Sequence, residues 1–121
     1  MKKLLILLLF PALMLSQITC KKAIDDAIDC ISESLFVVVH ADLDSTNPKL
    51  MHFEFVYNPS EGFSLETPIS WDFGDGNTVE GAITIDHEYE NTGSYEAVVS
   101  YTLKKGSETC SSNSTKHIVI N

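Results

Sequence analysis

The feature of this chain that most restricts its fold is an alternation of apolar and polar side chains with a period of two. In residues 50–57, LMHFEFVY, every second side chain is large and apolar or aromatic, and residues 94–104, SYEAVVSYTLK, repeat the pattern. Successive side chains of a β-strand point to opposite faces of the sheet. Each segment therefore predicts a strand that buries one face.

Shorter segments of the same kind follow one another along the chain, separated by residues that favour turns. The predicted strands are residues 35–43, 50–57, 68–73, 82–89, 94–104 and 109–121, and a loop is expected over residues 58–68. Short strands divided by turns about every 8–12 residues are typical of a sandwich or barrel. Residues 35–121 are therefore predicted to form one all-β domain of about seven strands, and residues 20–34 a tether with one helical turn.

Residues 71–76, WDFGDG, close one of these strands. Trp71 and Phe73 are two residues apart, so both are expected to point into the core while Asp72 points away. The glycines at 74 and 76 permit the backbone to reverse, and the Asp75 carboxylate is placed to accept hydrogen bonds from nearby backbone N–H groups. The motif is therefore interpreted as architectural.

The motif has two alternative interpretations, a calcium-binding loop and a catalytic carboxylate pair. In a calcium-binding loop, Asp72 or Asp75 would be a ligand of the ion. Calcium requires six to eight oxygen ligands, however, and the turn offers two carboxylates. A catalytic carboxylate pair is the other alternative, and no nucleophile elbow or paired base accompanies it. The four histidines, His40, His52, His87 and His117, lie on predicted strands without the spacing of metal ligands. No metal, cofactor or enzymatic activity is predicted.

Together with the residues that follow it, the motif resembles the PKD domain family, named after polycystic kidney disease. The family signature is Trp-Asp-Phe-Gly-Asp-Gly, then His-x-Tyr, then Gly-x-Tyr at the start of a long strand. The matching positions are Trp71, Asp72, Phe73, Gly74, Asp75, Gly76, His87, Tyr89, Gly93 and Tyr95. The resemblance spans residues 35–121 and is concentrated in 69–103. It implies an immunoglobulin-like β-sandwich with a non-catalytic adhesive or spacer role, and it places Tyr95 like a tyrosine-corner residue.

The first nineteen residues have the pattern of an export signal, with two lysines before an apolar run of twelve residues, LLILLLFPALML. That run is shorter than the roughly 17–25 residues that span a bilayer as a helix. The following Cys20 resembles the lipid-carrying cysteine of bacterial lipoproteins, although Gln17, Ile18 and Thr19 match the preceding consensus only loosely. We expect residues 1–19 to be a signal peptide and Cys20 to be acylated. Ordinary cleavage near the same point, which leaves a periplasmic or secreted soluble protein, is the alternative.

The cysteine count agrees with export. Apart from Cys20 the chain has Cys30 and Cys110, and in an oxidising compartment such a pair is expected to form a disulfide. A bridge between them would close a loop of 81 residues, from 30 through 110, and the chain-entropy model gives it about 4.5 kcal/mol. A zinc site would need histidine ligands as well.

The charge of the chain limits its partners. The whole sequence has 8 Lys+Arg and 17 Asp+Glu, and loss of Lys2 and Lys3 with the signal leaves 6 against 17, a net charge of −11. This charge argues against nucleic acid and against an anionic membrane surface as partners, because both require clustered positive charge, and membrane association is expected through the lipid alone.

Two functions remain for an exported domain of this kind. The first is a module at the cell surface or in the envelope that binds a protein or polysaccharide, with Phe63 and Tyr57 as possible ligand contacts. Phe63 would instead be a plug on the sandwich if it folds back, and the outer strand face of Glu96, Ser100 and Thr102 would then be the surface to test. The second function is a structural accessory subunit of an envelope complex, without an outside ligand, and a secreted enzyme is a distant third.

Overall fold

The structure is a computed structural model that describes residues 29–121. The predicted signal peptide and the predicted lipidation of Cys20 lie outside the described residues. Residues 29–34 are helical, and the domain of Glu33–Asn121 follows. Its seven strands are β1 (Val37–Leu43), β2 (Leu50–Tyr57), β3 (Phe63–Asp72), β4 (Thr78–Gly81), β5 (Thr84–Glu88), β6 (Gly93–Lys105) and β7 (Glu108–Ile120).

The seven strands form two antiparallel sheets, which confirms the predicted immunoglobulin-like β-sandwich. One sheet has the order β1-β2-β5 and the other the order β4-β3-β6-β7. The strands predicted from alternation are in place: β2 covers the predicted range 50–57, and the β6–β7 hairpin pairs in unbroken register from Gly93↔Ile120 to Lys105↔Glu108.

The core lies between the two sheets and consists of the inward residues of the alternating segments. Phe53 of β2 packs on Trp71 of β3 with ring centroids 5.7 Å apart, and Phe55 of β2 packs on Tyr101 of β6 at 5.0 Å. The buried apolar side chains are Val39, Met51, Phe53, Phe55, Ile69, Trp71, Phe73, Tyr89, Ala97, Val99, Tyr101, Leu103, Ile118 and Ile120. Large aromatic side chains thus fill the space between the sheets, and each contributes more buried area than an aliphatic residue would.

The predicted loop over residues 58–68 is wrong in its second half. β3 begins at Phe63 and pairs with β6 through Glu66, after which the register shifts before pairing resumes at Ser70. A proline lacks the N–H that a ladder needs, and strands accommodate it at edges and bulges. Pro68 falls within this irregular stretch, so the strand continues through a proline that suggested a loop.

Two further differences concern residues 78–89. The short strand β4 was not predicted, because four residues are too few to show a period. The predicted strand over 82–89 is confirmed as β5, but Ile83, expected on the inner face, precedes the strand and is exposed, whereas Ile85 is half-buried and Tyr89 is buried.

Glu33, within the range predicted as a tether, is buried at the entrance to the domain. Its Oε1 accepts hydrogen bonds from the Tyr57 hydroxyl (2.6 Å) and the Ser60 backbone N–H (2.8 Å). Burial raises the pKa of the Glu33 carboxyl, but these hydrogen bonds outweigh burial, so the pKa lies below its usual value. The chain is therefore fastened to the domain at this point before β1 begins.

Candidate interaction site

The cluster of aromatic and acidic residues at 71–76 lies where β3 ends and the chain turns into β4. Trp71 is 1% exposed, and its Nε1–H donates to the carbonyl oxygen of Ala82 at 3.1 Å. Phe73 is buried beside it against Phe53, with ring centroids 5.4 Å apart. The two aromatic residues thus fix the end of β3 on the core, on the face that the alternation predicts.

The two aspartates of the motif hold the turn by accepting backbone hydrogen bonds. Asp72 is exposed, and its Oδ1 accepts from the N–H of Gly74 at 3.0 Å. Asp75 Oδ1 accepts from the N–H of Asn77 at 3.1 Å, and the Phe73 N–H donates to the Asn77 carbonyl at 3.1 Å. Each carboxylate therefore has a local partner that closes the turn.

Gly74 is required by a close approach of two backbones. It has a φ of +80°, and a Cβ built on it would lie 2.5 Å from the carbonyl oxygen of Glu96 in β6. Gly76 also has a positive φ, +91°, but a Cβ there would meet nothing within 4 Å. The first glycine thus serves packing and conformation, and the second serves conformation alone.

His87 has a partner that the sequence did not reveal. Its Nε2 lies 2.7 Å from Asp75 Oδ2, and both side chains are nearly buried. The imidazole stacks on Phe73 with ring centroids 3.9 Å apart and an interplanar angle of 1°. Burial raises the pKa of the Asp75 carboxyl, but the hydrogen bond from His87 and those from Asn77 outweigh it and the net shift is downward. His87 therefore joins β5 to the motif turn.

Two tyrosines complete the packing behind the turn. The buried Tyr89 donates its hydroxyl hydrogen to the carbonyl oxygen of Phe73 at 2.9 Å. Tyr95 packs on Tyr89 with ring centroids 4.5 Å apart and donates to the carbonyl oxygen of Asn91 at 2.7 Å. A hydroxyl that reaches back to the backbone a few residues upstream is the geometry of a tyrosine corner. The signature residues thus form one connected structural network.

A second histidine lies between two carboxylates on the outer side of the three-stranded sheet. His52 Nδ1 is 2.6 Å from Asp86 Oδ1 in β5, and His52 Nε2 is 3.0 Å from Asp44 Oδ2 in the turn after β1. Asp44 Oδ1 also accepts from the N–H groups of Thr46 and Asn47, both at 2.8 Å. The hydrogen bonds to Asp86 and then Asp44 raise the pKa of His52, and the same contact with His52 lowers the pKa of Asp44. Protonated His52 therefore ties the β1–β2 turn to β5.

This arrangement predicts that the contribution of His52 to stability decreases at alkaline pH. A raised folded-state pKa adds stability that is complete below the unfolded value of about 6.5 and is lost as the pH rises through the folded value. We therefore expect His52→Gln to lower the melting temperature at pH 5.5 and to have a smaller effect at pH 8.5, by differential scanning calorimetry of both proteins. His87 and His117 are present in both proteins, so their effects cancel when the melting temperature of the variant is subtracted from that of the wild type. An effect of the substitution that is the same at both pH values would contradict the assignment.

The two aromatic residues suggested as ligand contacts lie at the other end of the domain from the motif turn. Tyr57 is half-buried, and its hydroxyl is engaged by Glu33; burial and then this contact raise the pKa of the phenol. Phe63 is half-buried at the start of β3, with Lys105 Nζ 4.9 Å from its ring centroid. The expectation that Phe63 lies in a loop is wrong, and its contact with a ligand stays a prediction, now for a strand residue beside a lysine.

A groove of about 470 Å³ opens on the outer face of the four-stranded sheet, where β3 and β6 lose register. Ser100 and Thr102, which the sequence singled out, line it, whereas Glu96 does not. Thr102 Oγ1 lies 2.8 Å from Ser111 Oγ of β7. The full lining is Glu66, Thr67, Pro68, Ser70, Glu80, Ser100, Tyr101, Thr102, Ser111 and Ser112. Most residues that line the groove thus carry hydroxyl groups, and two carry carboxylates. None of the motif residues 71–76 lines it.

Several features of these surfaces were not predicted. The Asp44–His52–Asp86 contact joins residues from three segments, and the bulge in β3 places Glu66 and Ser70 around one groove; only Pro68 within an alternating segment signals the bulge.

Cys30 and Cys110, predicted to be oxidised, are both disulfide-bonded. Within residues 29–121, no group of three or more His, Cys, Asp or Glu side chains is arranged to hold a metal ion. The same part of the chain has no helix of the length and apolar character needed to cross a bilayer.

Comparison with known proteins gives a family match and a similar solved structure. The family model described as "PKD domain" matches residues 38–119. The crystal structure of the PKD1 domain of Vibrio anguillarum Epp is 17% identical, with a TM-score of 0.46, covering 70% of this chain and 95% of that one. No curated protein sequence matches the chain.

Proposed function

Since the chain belongs to the PKD domain family, whose members are generally non-catalytic modules, we propose that it is an exported, lipid-anchored module that binds a polysaccharide in the cell envelope. In this proposal Cys20 carries the anchor, and the groove between β3 and β6 binds the ligand. The disulfide-bonded state of Cys30 and Cys110 is consistent with export, because disulfides persist in oxidising compartments. The lining of the groove is the observation that carries the choice of ligand.

The chemistry of this lining is complementary to a sugar. Hydroxyl side chains both donate and accept hydrogen bonds, as do the hydroxyls of a saccharide. The carboxylates of Glu66 and Glu80 are charged acceptors, and hydrogen bonds to charged groups are the stronger kind. A volume of about 470 Å³ lies within the range of about 300–1,000 Å³ typical of small-molecule sites. Pro68 adds some apolar surface on which a sugar ring can pack.

The lipid anchor is tested by removing the predicted acylation site. We expect Cys20→Ser to move the protein from the detergent phase to the aqueous phase of a phase-separated membrane extract, because the acyl chains that hold it would be missing. The wild-type protein should carry the mass of the acyl groups on its N-terminal peptide. Unchanged partitioning of the variant, together with a peptide of unmodified mass, would rule out the lipoprotein assignment.

The groove is tested with one substitution inside it and one matched substitution outside it. Ser100→Arg places a long cation in the groove, and Thr84→Arg makes a similar change at an exposed position of β5 on the other sheet. We expect Ser100→Arg to weaken retention on the polysaccharide that the wild type binds by tenfold or more, about 1.4 kcal/mol, while Thr84→Arg does not. Exposed strand positions of this kind should change stability by only about 0.5 kcal/mol.

Immobilised chitin, cellulose and peptidoglycan are suitable first probes for this measurement. Equal losses in both variants would place the binding surface elsewhere. An acylated wild-type protein that is retained on none of these polysaccharides would favour the role of structural accessory subunit instead.

A further inference from the structure

Three exposed large apolar side chains lie close together in the sequence where the chain enters the domain, whereas the others in residues 33–121, Leu43, Val79, Ile83 and Val119, are spread over different segments. Leu35 is 79% exposed, Phe36 is 54% exposed and Val38 is 47% exposed. Leu35 and Phe36 form the turn that leads into β1, and Val38 is the second residue of that strand. A group of large apolar side chains left in water by a small acidic domain marks a surface that contacts something else.

This group lies at one defined end of the sandwich, which we call the basal end. There β1 starts beside the end of β2 (Val37↔Tyr57), and β3 starts beside the end of β6 (Phe63↔Lys105). The Phe63 N–H donates to the Ser60 carbonyl oxygen at 3.0 Å, and Glu33 bonds to both Tyr57 and Ser60. The ends of both sheets and the entering chain therefore meet at the basal end.

The charged residues differ between the two ends. The basal end contains Lys104 and Lys105, two of the four lysines among residues 29–121, and the carboxylates Glu61 and Glu108 beside the buried Glu33. The opposite end, around the motif turn and the β1–β2 turn, contains two lysines, Lys49 and Lys116, among many carboxylates. Those carboxylates are Asp42, Asp44, Asp72, Asp75, Asp86, Glu88 and Glu90. An anionic surface would therefore repel the opposite end far more than the basal end.

The predicted anchor is joined to the domain at the basal end. Glu33 is fixed at the basal end by its hydrogen bonds, and it lies thirteen positions after Cys20. Such a segment spans at most about 45 Å when extended and about 20 Å when helical. The opposite end is a further ~40 Å away along the 13-residue strand β6. A lipid on Cys20 would therefore hold the basal end nearer the bilayer than any other part of the domain.

We propose that the basal end is a membrane-contacting surface, in which Leu35, Phe36 and Val38 lie in the headgroup region of the bilayer that carries the lipid on Cys20. The proposal rests on the anchor in the proposed function. Aliphatic and aromatic side chains enter the boundary between headgroups and acyl chains, and nearby lysines bind the phosphates of anionic lipids. The groove on the four-stranded sheet would then face sideways, clear of the membrane, and the acidic end would point away from it.

The proposal is tested with the full, lipid-modified protein, which carries a fluorescent reporter either at the basal end or at the opposite end of the sandwich. The variants are Phe36→Trp at the basal end and Val119→Trp, at a residue that is 50% exposed near the opposite end. The native Trp71 is buried and gives the same background in both variants and the wild type. Each protein is reconstituted into vesicles of phosphatidylethanolamine and phosphatidylglycerol, with and without bromine on the acyl chains, because bromine quenches tryptophan only at close range.

We expect brominated lipid to reduce the emission of Phe36→Trp by about a third, while Val119→Trp and the wild type lose less than a tenth. Adding Lys104→Glu to Phe36→Trp should reduce the quenching on these anionic vesicles and leave it unchanged on neutral phosphatidylcholine. Phe36→Trp that stays unquenched on vesicles would overturn the proposal. If aqueous iodide also fails to quench it, the basal end is covered by protein, and cross-linking distinguishes a second copy from residues 20–28 of the same chain.

Failure of the anchor and failure of the contact surface give different results. A Cys20 peptide without acyl mass overturns the anchor in the proposed function, whatever the fluorescence shows. An acylated protein whose Phe36→Trp reporter is unquenched keeps the anchor and overturns only the membrane-contacting surface.

Discussion

Replacing Trp71 with alanine is expected to reduce the free energy of unfolding by about 3–5 kcal/mol, the usual cost of losing a large aromatic side chain from a core. Trp71 is 1% exposed, contacts Phe53 of the facing sheet and donates a hydrogen bond to Ala82. Its removal thus leaves a cavity between the sheets and an unpaired carbonyl group. For a domain of about 90 residues, with a total stability of roughly 5–15 kcal/mol, the melting temperature should fall by at least about 12 °C.

The measurement requires circular dichroism, because Trp71 is the one tryptophan of the chain. Val79→Ala is a matched control, since Val79 is the partner of Trp71 in the β3–β4 ladder but is 37% exposed. It should cost about 1 kcal/mol or less. A Trp71→Ala protein that melts within two degrees of the wild type would show that the tryptophan does not support the core.

A second large effect is expected from Gly74→Ala, which should destabilise the domain by about 3 kcal/mol or more. Part of this cost, about 1–2 kcal/mol, comes from forcing an alanine to adopt a positive φ. The rest comes from the added methyl group, which would lie 2.5 Å from the Glu96 carbonyl oxygen. Because that neighbour is backbone in the middle of a sheet, the strands β3 and β6 would have to separate to relieve the contact.

Gly76→Ala isolates the conformational part of the effect. Gly76 also has a positive φ but has open space around its Cα, so its substitution should cost only the first component. The difference between the two variants in urea unfolding then measures the close approach of the motif turn to β6. Equal losses of stability in the two proteins would contradict that close approach.

The sequence predicted those parts of the fold in which a single period runs through a whole segment. β2 and β6 each bury alternate residues, so their faces and most of their bounds were readable from the chain. β3 was only half predicted, because a bulge interrupts its alternation between Glu66 and Ser70 and a proline falls inside the gap. A four-residue strand such as β4 has no measurable period, and it forms because its neighbour provides a ladder to pair with.

The interaction surfaces were less predictable than the fold, since they combine residues that are distant in sequence. The motif residues could be placed because they are contiguous, but the contact of Asp75 with His87 requires β5 to lie beside the turn. Likewise, the groove joins side chains of β3, β4, β6 and β7 around an irregularity that only the paired strands reveal. Glu33 was assigned to the tether because a lone glutamate near a helical turn carries no signal of burial.

The β6–β7 hairpin has a consequence for the order in which the domain folds. Its ladder is the longest in the described domain, and its strands are joined by two residues, with Gly106 at a φ of +62° as the type II′ turn requires. Closing so short a loop costs little chain entropy, whereas pairing β2 with β5 brings together residues thirty or more positions apart. We therefore expect the folding nucleus to contain this hairpin. Destabilising substitutions in β6 and β7 would then slow folding, and those in β1 would chiefly accelerate unfolding.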